Sequence, residues 1–374
     1  MIYLDHAATT PMRPGVWESM APFASDKFGN SSGVHEVSRR AKNALEEARE
    51  QIAGVIGAKP MEVVFTSGGT ESDNLALKGV VLNRSPRKGV VTVATEHDAI
   101  LESVSMIDRM GLPVSIVGVD RSGLVDEEEI LDAMDHFTAV VSVMLLNNET
   151  GVVQDVRSIG KLLPEGVLLH TDAVQAFGSM DIDVDDLGVD LMTITGHKFG
   201  GPKGAGILYV REGTPLEPLI HGGGQELGRR SGTHDVAGAV GLATAMSLAA
   251  SDRDRFRRDV GAIRDDFEKR LLAGVEGAVV NSPSATRSHH HLNIRFPGVR
   301  NETLLLRMDQ EGVAASAGSA CQSGAATVSH VLESMGLSPA EARESVRFSF
   351  GWSSTAAEAA EAAEIVIDLA GRLR

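Results

Sequence analysis

The chain of 374 residues carries a single cysteine, Cys321, so no internal disulfide can form. It has no apolar run long enough to cross a bilayer: the longest, residues 137–146, is half a span and fits a buried strand. Basic residues are outnumbered, 35 against 51 acidic, for a formal charge of −16. Such a surface discourages nonspecific binding to nucleic acid or anionic membranes. Asp5 and His6 stand where a secretory signal would need a basic region and an apolar stretch. Neither a Gly-Lys-Ser/Thr phosphate loop nor a GxGxxG fingerprint occurs, and there is no internal repeat. The expectation is a soluble, cytoplasmic protein.

What is present points to an α/β enzyme. The length exceeds the size at which single cores stop growing, so two domains are expected. Between residues 61 and 210, β-rich runs at 63–67, 90–94, 114–119, 139–146, 167–170, 191–195 and 206–210 alternate with helical stretches such as 70–81 and 126–134. Several runs are continuously apolar, as strands covered on both faces must be, which predicts a mostly parallel seven-stranded sheet. Residues 36–56 read as an amphipathic helix with Ala41, Leu45, Ala48, Ile52 and Val55 on one stripe. Residues 251–272 read as a charged helix that begins a smaller α+β domain. The division expected is 14–250 for a large domain, with 1–13 and 251–374 forming the small one. Thr355 followed by Glu358 predicts a capping box for the last helix.

In parallel sheets, ligands bind beyond the carboxyl ends of the strands, and the chemically distinctive residues fall there. Gly68-Gly69-Thr70 between a strand and a helix can cradle an anion, or can be a capped tight turn. His97 suits acid–base work or ring stacking, or caps a helix. Asn148 follows another strand, and Asp172 is a carboxylate at a depth that requires a cation. Lys198, after Thr195-Gly196-His197, is placed to form a Schiff base or is a surface lysine in a glycine-rich loop. Together they are the parts that pyridoxal phosphate needs. Ser316 to Gly324, nearly all small residues, read as a mobile loop presenting a reactive Cys321 thiol. His289-His290-His291 reads as alternating strand faces, not as a metal site.

In family order, Tyr3-Leu4-Asp5-His6-Ala7-Ala8-Thr9-Thr10-Pro11, Thr66-Ser67-Gly68-Gly69-Thr70-Glu71-Ser72, Asn147-Asn148-Glu149-Thr150-Gly151, Asp172-Ala173-Val174-Gln175, Gly196-His197-Lys198, Arg230-Ser231-Gly232-Thr233 and Gly318-Ser319-Ala320-Cys321 resemble the motifs of the NifS/IscS (group I) cysteine desulfurases, class V aminotransferase family. The resemblance implies the fold of the type I pyridoxal-phosphate transferases (aspartate-aminotransferase-like), a homodimer, and covalent attachment of pyridoxal 5'-phosphate to Lys198. It implies that Gly69, Thr70, Thr195 and His197 hold the phosphate, joined by Thr233 from the opposite subunit. Asp172 and Gln175 are implied to meet the ring nitrogen and phenolic oxygen, with His97 stacked on the ring. Asn148 and Arg347 are implied to bind the carboxylate of L-cysteine, with Asn30 nearby. Cys321 would carry the sulfur to an acceptor protein such as an Fe–S scaffold. The sequence departs from the family at Ser31, where Pro is usual, at Gln225, where His is common, and at Ala326-Thr327-Val328-Ser329, where Leu-Glu-Pro-Ser is frequent. A selenocysteine lyase, an aminotransferase and a non-catalytic relay protein are the alternatives on the same fold.

Overall fold

The computed structural model describes all residues except Arg84, Ser284 and 319–327. Strand β1 (Ile2–Tyr3) precedes the main sheet, which is built from β2 (Val63–Thr66), β3 (Gly89–Val93), β4 (Val114–Val117), β5 (Thr138–Ser142), β6 (Leu168–Asp172), β7 (Leu191–Thr195) and β8 (Gly206–Val210). Their order is β2-β8-β7-β6-β5-β3-β4, and only β8 runs against its neighbours. Successive residues of these strands enter different apolar clusters: Val91, Val141 and Ile207 pack into one, Val90, Val140 and Leu208 into another. That alternation is the sign of a sheet covered on both faces, and it explains why the strands read as unbroken apolar runs. The run at 139–146 outlasts its strand. Residues 143–146 stay buried although the strand ends at Ser142, because apolarity follows burial and not ladder pairing.

The helix Glu36–Ile56 forms where expected. His35 caps it by accepting the Ser38 N–H, Gly57 ends it in the left-handed region at φ 73°, and the Ala41, Leu45, Ala48 and Ile52 stripe is buried. The helix Val236–Gly274 differs from expectation. It runs unbroken for 39 residues through position 250, where a domain division was predicted. Its first half, Ala- and Gly-rich, packs into the main core through Ala239, Leu242 and Met246, while Val260, Phe267 and Leu271 join a second core. The change of composition marks a change of packing partner, and no Pro interrupts the backbone.

That second core covers a three-stranded antiparallel sheet of β9 (Val279–Val280), β10 (His291–Arg295) and β12 (Ser345–Ser349). The Phe267 ring sits edge-on to Phe348 and Phe350, with centroids 4.9 and 5.4 Å apart. The start of the chain belongs here too: β1 pairs in parallel with β11 (Val313–Ala314), and Leu4 is part of the cluster. Thr355 caps the final helix, Ala356–Leu373, by accepting the Glu358 N–H. The Glu358 carboxylate accepts from the Thr355 hydroxyl instead of its backbone N–H, so the reciprocal half of the predicted capping box is missing.

One buried ion pair fixes the edge of the main sheet. Glu226 and Leu227 sit in the left-handed region, at φ 49° and 58°, an unfavourable backbone for side chains of this kind. The Glu226 carboxylate compensates by accepting from Arg49 Nη1 and Nη2 at 2.7 and 2.8 Å and from the Phe65 N–H at 2.9 Å. It also meets His234 Nε2 at 2.7 Å, and the other nitrogen of that ring lies 2.9 Å from Ser31 Oγ, so Ser31 has found a polar partner. Burial alone would raise the Glu226 pKa, but these hydrogen bonds hold it at about 2, against 4.5 for a free glutamate. A depressed carboxylate pKa contributes stability above about pH 4.5 and loses it as pH falls through about 2. Glu226→Gln is therefore expected to cost about 3 to 5 kcal/mol at pH 7, with the gap to wild type closing toward pH 2. Chemical denaturation across that range checks both the size and the sign.

Candidate active site

Five strand ends converge on one cavity of about 400 Å³. After β2, Gly68 turns the chain at φ 146° into the helix Gly69–Leu82, which has no side-chain cap, so its first N–H groups stay available to an anion. A Cβ on Gly206, at the facing start of β8, would lie 2.7 Å from the Gly68 Cα, so this turn needs glycine on both sides. Gly69 and Thr70 line the cavity, joined by Thr195 and His197 from the end of β7. Thr195 is buried and donates to the Ala205 carbonyl at 3.2 Å. The His197 ring hydrogen-bonds Thr9 Oγ1 at 3.1 Å, and burial followed by repulsion from Lys198 and Lys203 lowers its pKa to about 4.

Lys198 stands one residue beyond His197, at the end of a single 3₁₀ turn, Gly196–Lys198. Its ammonium donates to the carbonyls of Ala7 and Ala8 at 2.6 and 3.0 Å. Gln175 Nε2 donates to the same Ala7 carbonyl at 2.9 Å, so the N-terminal segment forms one wall of the cavity. Asp172 ends β6 and is 5 % exposed. It accepts the Val174 N–H at 2.8 Å, while burial pushes its pKa up against the pull of that bond, His97 and Lys198. His97 caps the helix Asp98–Arg109, its Nδ1 accepting the Ala99 N–H at 3.0 Å. Capping and lining the cavity are thus compatible, and the cap leaves the proton of the neutral ring on Nε2. Burial, and then the Lys198 charge, lower its pKa and keep it neutral near pH 7 in the face of Asp172.

Arg347 enters from β12 and is 3 % exposed. Its Nη2 donates to Asp5 at 2.7 Å and its Nη1 to the Asn148 carbonyl at 2.9 Å, while Nε has no partner among the described residues. The Asn148 side-chain oxygen is likewise buried and unpaired among the described residues. Of the residues singled out from the sequence, Gly69, Thr70, His97, Asn148, Asp172, Gln175, Thr195, His197, Lys198 and Arg347 share this cavity. Asn30 does not: it is exposed and its side chain accepts the Ser32 N–H at 2.9 Å. Thr233 lines a separate cavity of about 200 Å³ with Arg230 and His234. Cys321 lies outside the described residues, but Gly318 and Val328, on either side of 319–327, both line the main cavity.

Sequence reasoning missed several contributors. Glu149 and His330 line the cavity, and His330 Nε2 donates to the Glu96 carbonyl at 2.9 Å. Asp73 and Glu96 are buried acids near Asp172, each raised well above the ordinary carboxylate range first by burial and next by the Asp172 charge. Asp5 holds Arg347 across 342 positions of sequence. Among the described residues no group of three His, Cys, Asp or Glu side chains could hold a metal ion; His290 and His291 are buried, with Ser288 Oγ 2.8 Å from the His291 ring. No helix among them is long and apolar enough to cross a membrane.

Pyridoxal phosphate fits these residues. A buried carboxylate at Asp172, with the buried acids Asp73 and Glu96 close by, calls for a cation such as a protonated ring nitrogen, and the uncapped helix suits a phosphate. Comparison with known proteins agrees. The class-V aminotransferase family model matches residues 2–361. The cysteine desulfurase IscS of Dictyoglomus turgidum is 43% identical over 352 residues, 94% of this chain and 89% of that protein. That of Methanosarcina thermophila is 38% identical, covering 100% of this chain and 93% of that one. A solved NifS-like protein superposes with a TM-score of 0.93 at 34% identity, covering 99% of both chains. The structure of SspA in complex with cysteine gives 0.84 at 38% identity, over 94% of this chain and 99% of that one. The chain belongs to the class-V aminotransferase family, which is pyridoxal-phosphate dependent, and within it to the NifS/IscS-type cysteine desulfurases.

Proposed function

We propose that this protein is a cysteine desulfurase that converts L-cysteine to L-alanine and leaves the sulfur as a persulfide on Cys321. The observation that carries the reading is the cavity that unites Lys198, Asp172, His97, Asn148 and Arg347 with the residues flanking the Cys321 segment. Pyridoxal phosphate, when bound, supplies an electron sink for bonds at the substrate's carbon atoms. Lys198 would attach it, Asp172 and Gln175 would meet its ring, and the uncapped helix with Gly69, Thr70, Thr195 and His197 would take its phosphate.

The chain's own residues do the rest. The Arg347 guanidinium, pinned by Asp5 and the Asn148 carbonyl, presents a fixed cation to the substrate carboxylate. The Lys198 amine would take the proton from the substrate Cα and return one to it before alanine leaves. Neutral His97, with its proton on Nε2, manages protons at the departing and entering groups. The Cys321 thiolate attacks the substrate sulfur, forming an S–S bond as the carbon–sulfur bond breaks. The electron pair of the broken bond stays with carbon, which takes up a proton and leaves as the methyl group of alanine.

Two further elements belong to this reading. Thr233 is set apart from the main cavity of its own chain, which supports a homodimer in which a second copy supplies it. The persulfide is passed to an acceptor protein such as an Fe–S scaffold, in the cytoplasm. Equal molar yields of alanine and transferred sulfur from L-cysteine test the function, and a keto acid product in place of alanine would indicate an aminotransferase.

A further inference from the structure

Glu149 is a buried acid that the steps above leave unused. It is 2 % exposed, follows Asn148 directly, and its backbone is held on both sides: the N–H donates to Asn147 Oδ1 at 2.9 Å and the carbonyl accepts from Asn293 Nδ2 at 3.2 Å. Its carboxyl group therefore has a fixed origin. One oxygen, Oε2, accepts from the Ser329 hydroxyl at 2.6 Å. A Cβ on Gly318 would lie 2.6 Å from that same oxygen, so a larger residue there would push the carboxyl group aside, and at φ 93° the backbone of Gly318 also favours glycine. Gly318 and Ser329 are the residues on either side of the stretch that includes Cys321. Ser329 in turn caps the helix His330–Ser334 by accepting the Leu332 N–H at 3.1 Å, and Ser316 pairs through its backbone with Arg347 at 2.7 and 3.2 Å.

We infer that Glu149 is a positioning residue for sulfur transfer, its carboxyl group anchoring Ser329 by a hydrogen bond and filling the space beside Gly318, at the two approaches to the Cys321 segment. The inference rests on Cys321 being the sulfur acceptor in the reaction proposed above. It ties the two approaches to the backbone that bears Asn148 and, through it, to Arg347. Burial raises the Glu149 pKa, and the Ser329 hydroxyl is the largest influence opposing it, ahead of Arg347 and His330. Ser329 is thus the main satisfier of this carboxyl, and its loss frees Glu149 to turn away.

A single-turnover experiment on the full-length holoenzyme tests this. Protein is mixed with L-cysteine, quenched, and the persulfide is counted by mass spectrometry; with one cysteine in the chain, every count refers to Cys321. The absorbance change of the cofactor on adding cysteine is followed in parallel. Ser329→Ala is expected to load sulfur about 10-fold more slowly per cofactor-bearing molecule, with the absorbance change at its wild-type rate. Ser329→Thr, which keeps the hydroxyl, is expected to load within about twofold of wild type. Loss of the helix cap alone would lower Tm without separating the two rates. Gly318→Ala is the second variant, expected to show the same separation should Ser329→Ala fail to fold. Wild-type loading in the Ser329→Ala and Gly318→Ala proteins, or an equal fall in both rates, overturns the inference and leaves the desulfurase reading intact. A wild-type protein that loads no sulfur overturns that reading and this inference with it.

Discussion

Lys198→Ala is expected to lower alanine formation from L-cysteine by about 1,000-fold or more and to abolish covalent attachment of the cofactor. Two roles fall on this amine, attachment and removal of the Cα proton, and no other lysine among the described residues lines the cavity. Its position depends on a short 3₁₀ turn at the end of β7 and on two carbonyls of the N-terminal segment, so the side chain is aimed before any ligand arrives. Lys198→Arg should not rescue the loss, because a guanidinium remains protonated and cannot act as a nucleophile or base. Absorbance of the purified variant, together with alanine assays, reads both effects. A variant that retains covalent cofactor and wild-type turnover would remove Lys198 from its assigned place.

Cys321→Ala is expected to reduce sulfur release by about 100-fold or more while the cofactor still binds and still responds to cysteine. No other thiol exists in the chain to take its place. The separation matters, because Lys198 and Cys321 act on different bonds: the first variant stops the chemistry at Cα, the second stops only the transfer of sulfur. Cofactor spectra and sulfide assays on the same sample separate the two. An aminotransferase on this fold would be indifferent to the Cys321 change, and a relay protein without cofactor would show neither signal.

Much of the site was legible because its parts are local. Lys198, Asp172, His97 and the Gly68-Gly69 turn each lie within a few residues of a strand end, and a parallel sheet brings those ends together whatever the sequence distance between them. What escaped is what only the tertiary fold creates. Asp5 and Arg347 meet because β1 joins the second sheet system at the opposite end of the chain, and no periodicity reports such a contact. Glu149 was read as part of a motif, but its partner Ser329 is 180 positions away. The helix Val236–Gly274 was read only from residue 251, because its halves face different cores, one lined by small residues and one rimmed by charge. Asn30 was carried over by motif alone, and the local turn that occupies its side chain leaves it in solvent.

The central claim is that sulfur from L-cysteine passes to Cys321. The direct measurement is mass spectrometry of the Cys321 peptide from the holoenzyme after brief treatment with L-cysteine, with alanine quantified in the same sample. The predicted result is a mass increase of one sulfur atom on that peptide, removed by reductant, matched by an equal amount of alanine, and absent in Lys198→Ala. Alanine or sulfide produced at the wild-type rate with Cys321 unmodified throughout, or in its absence, would contradict it.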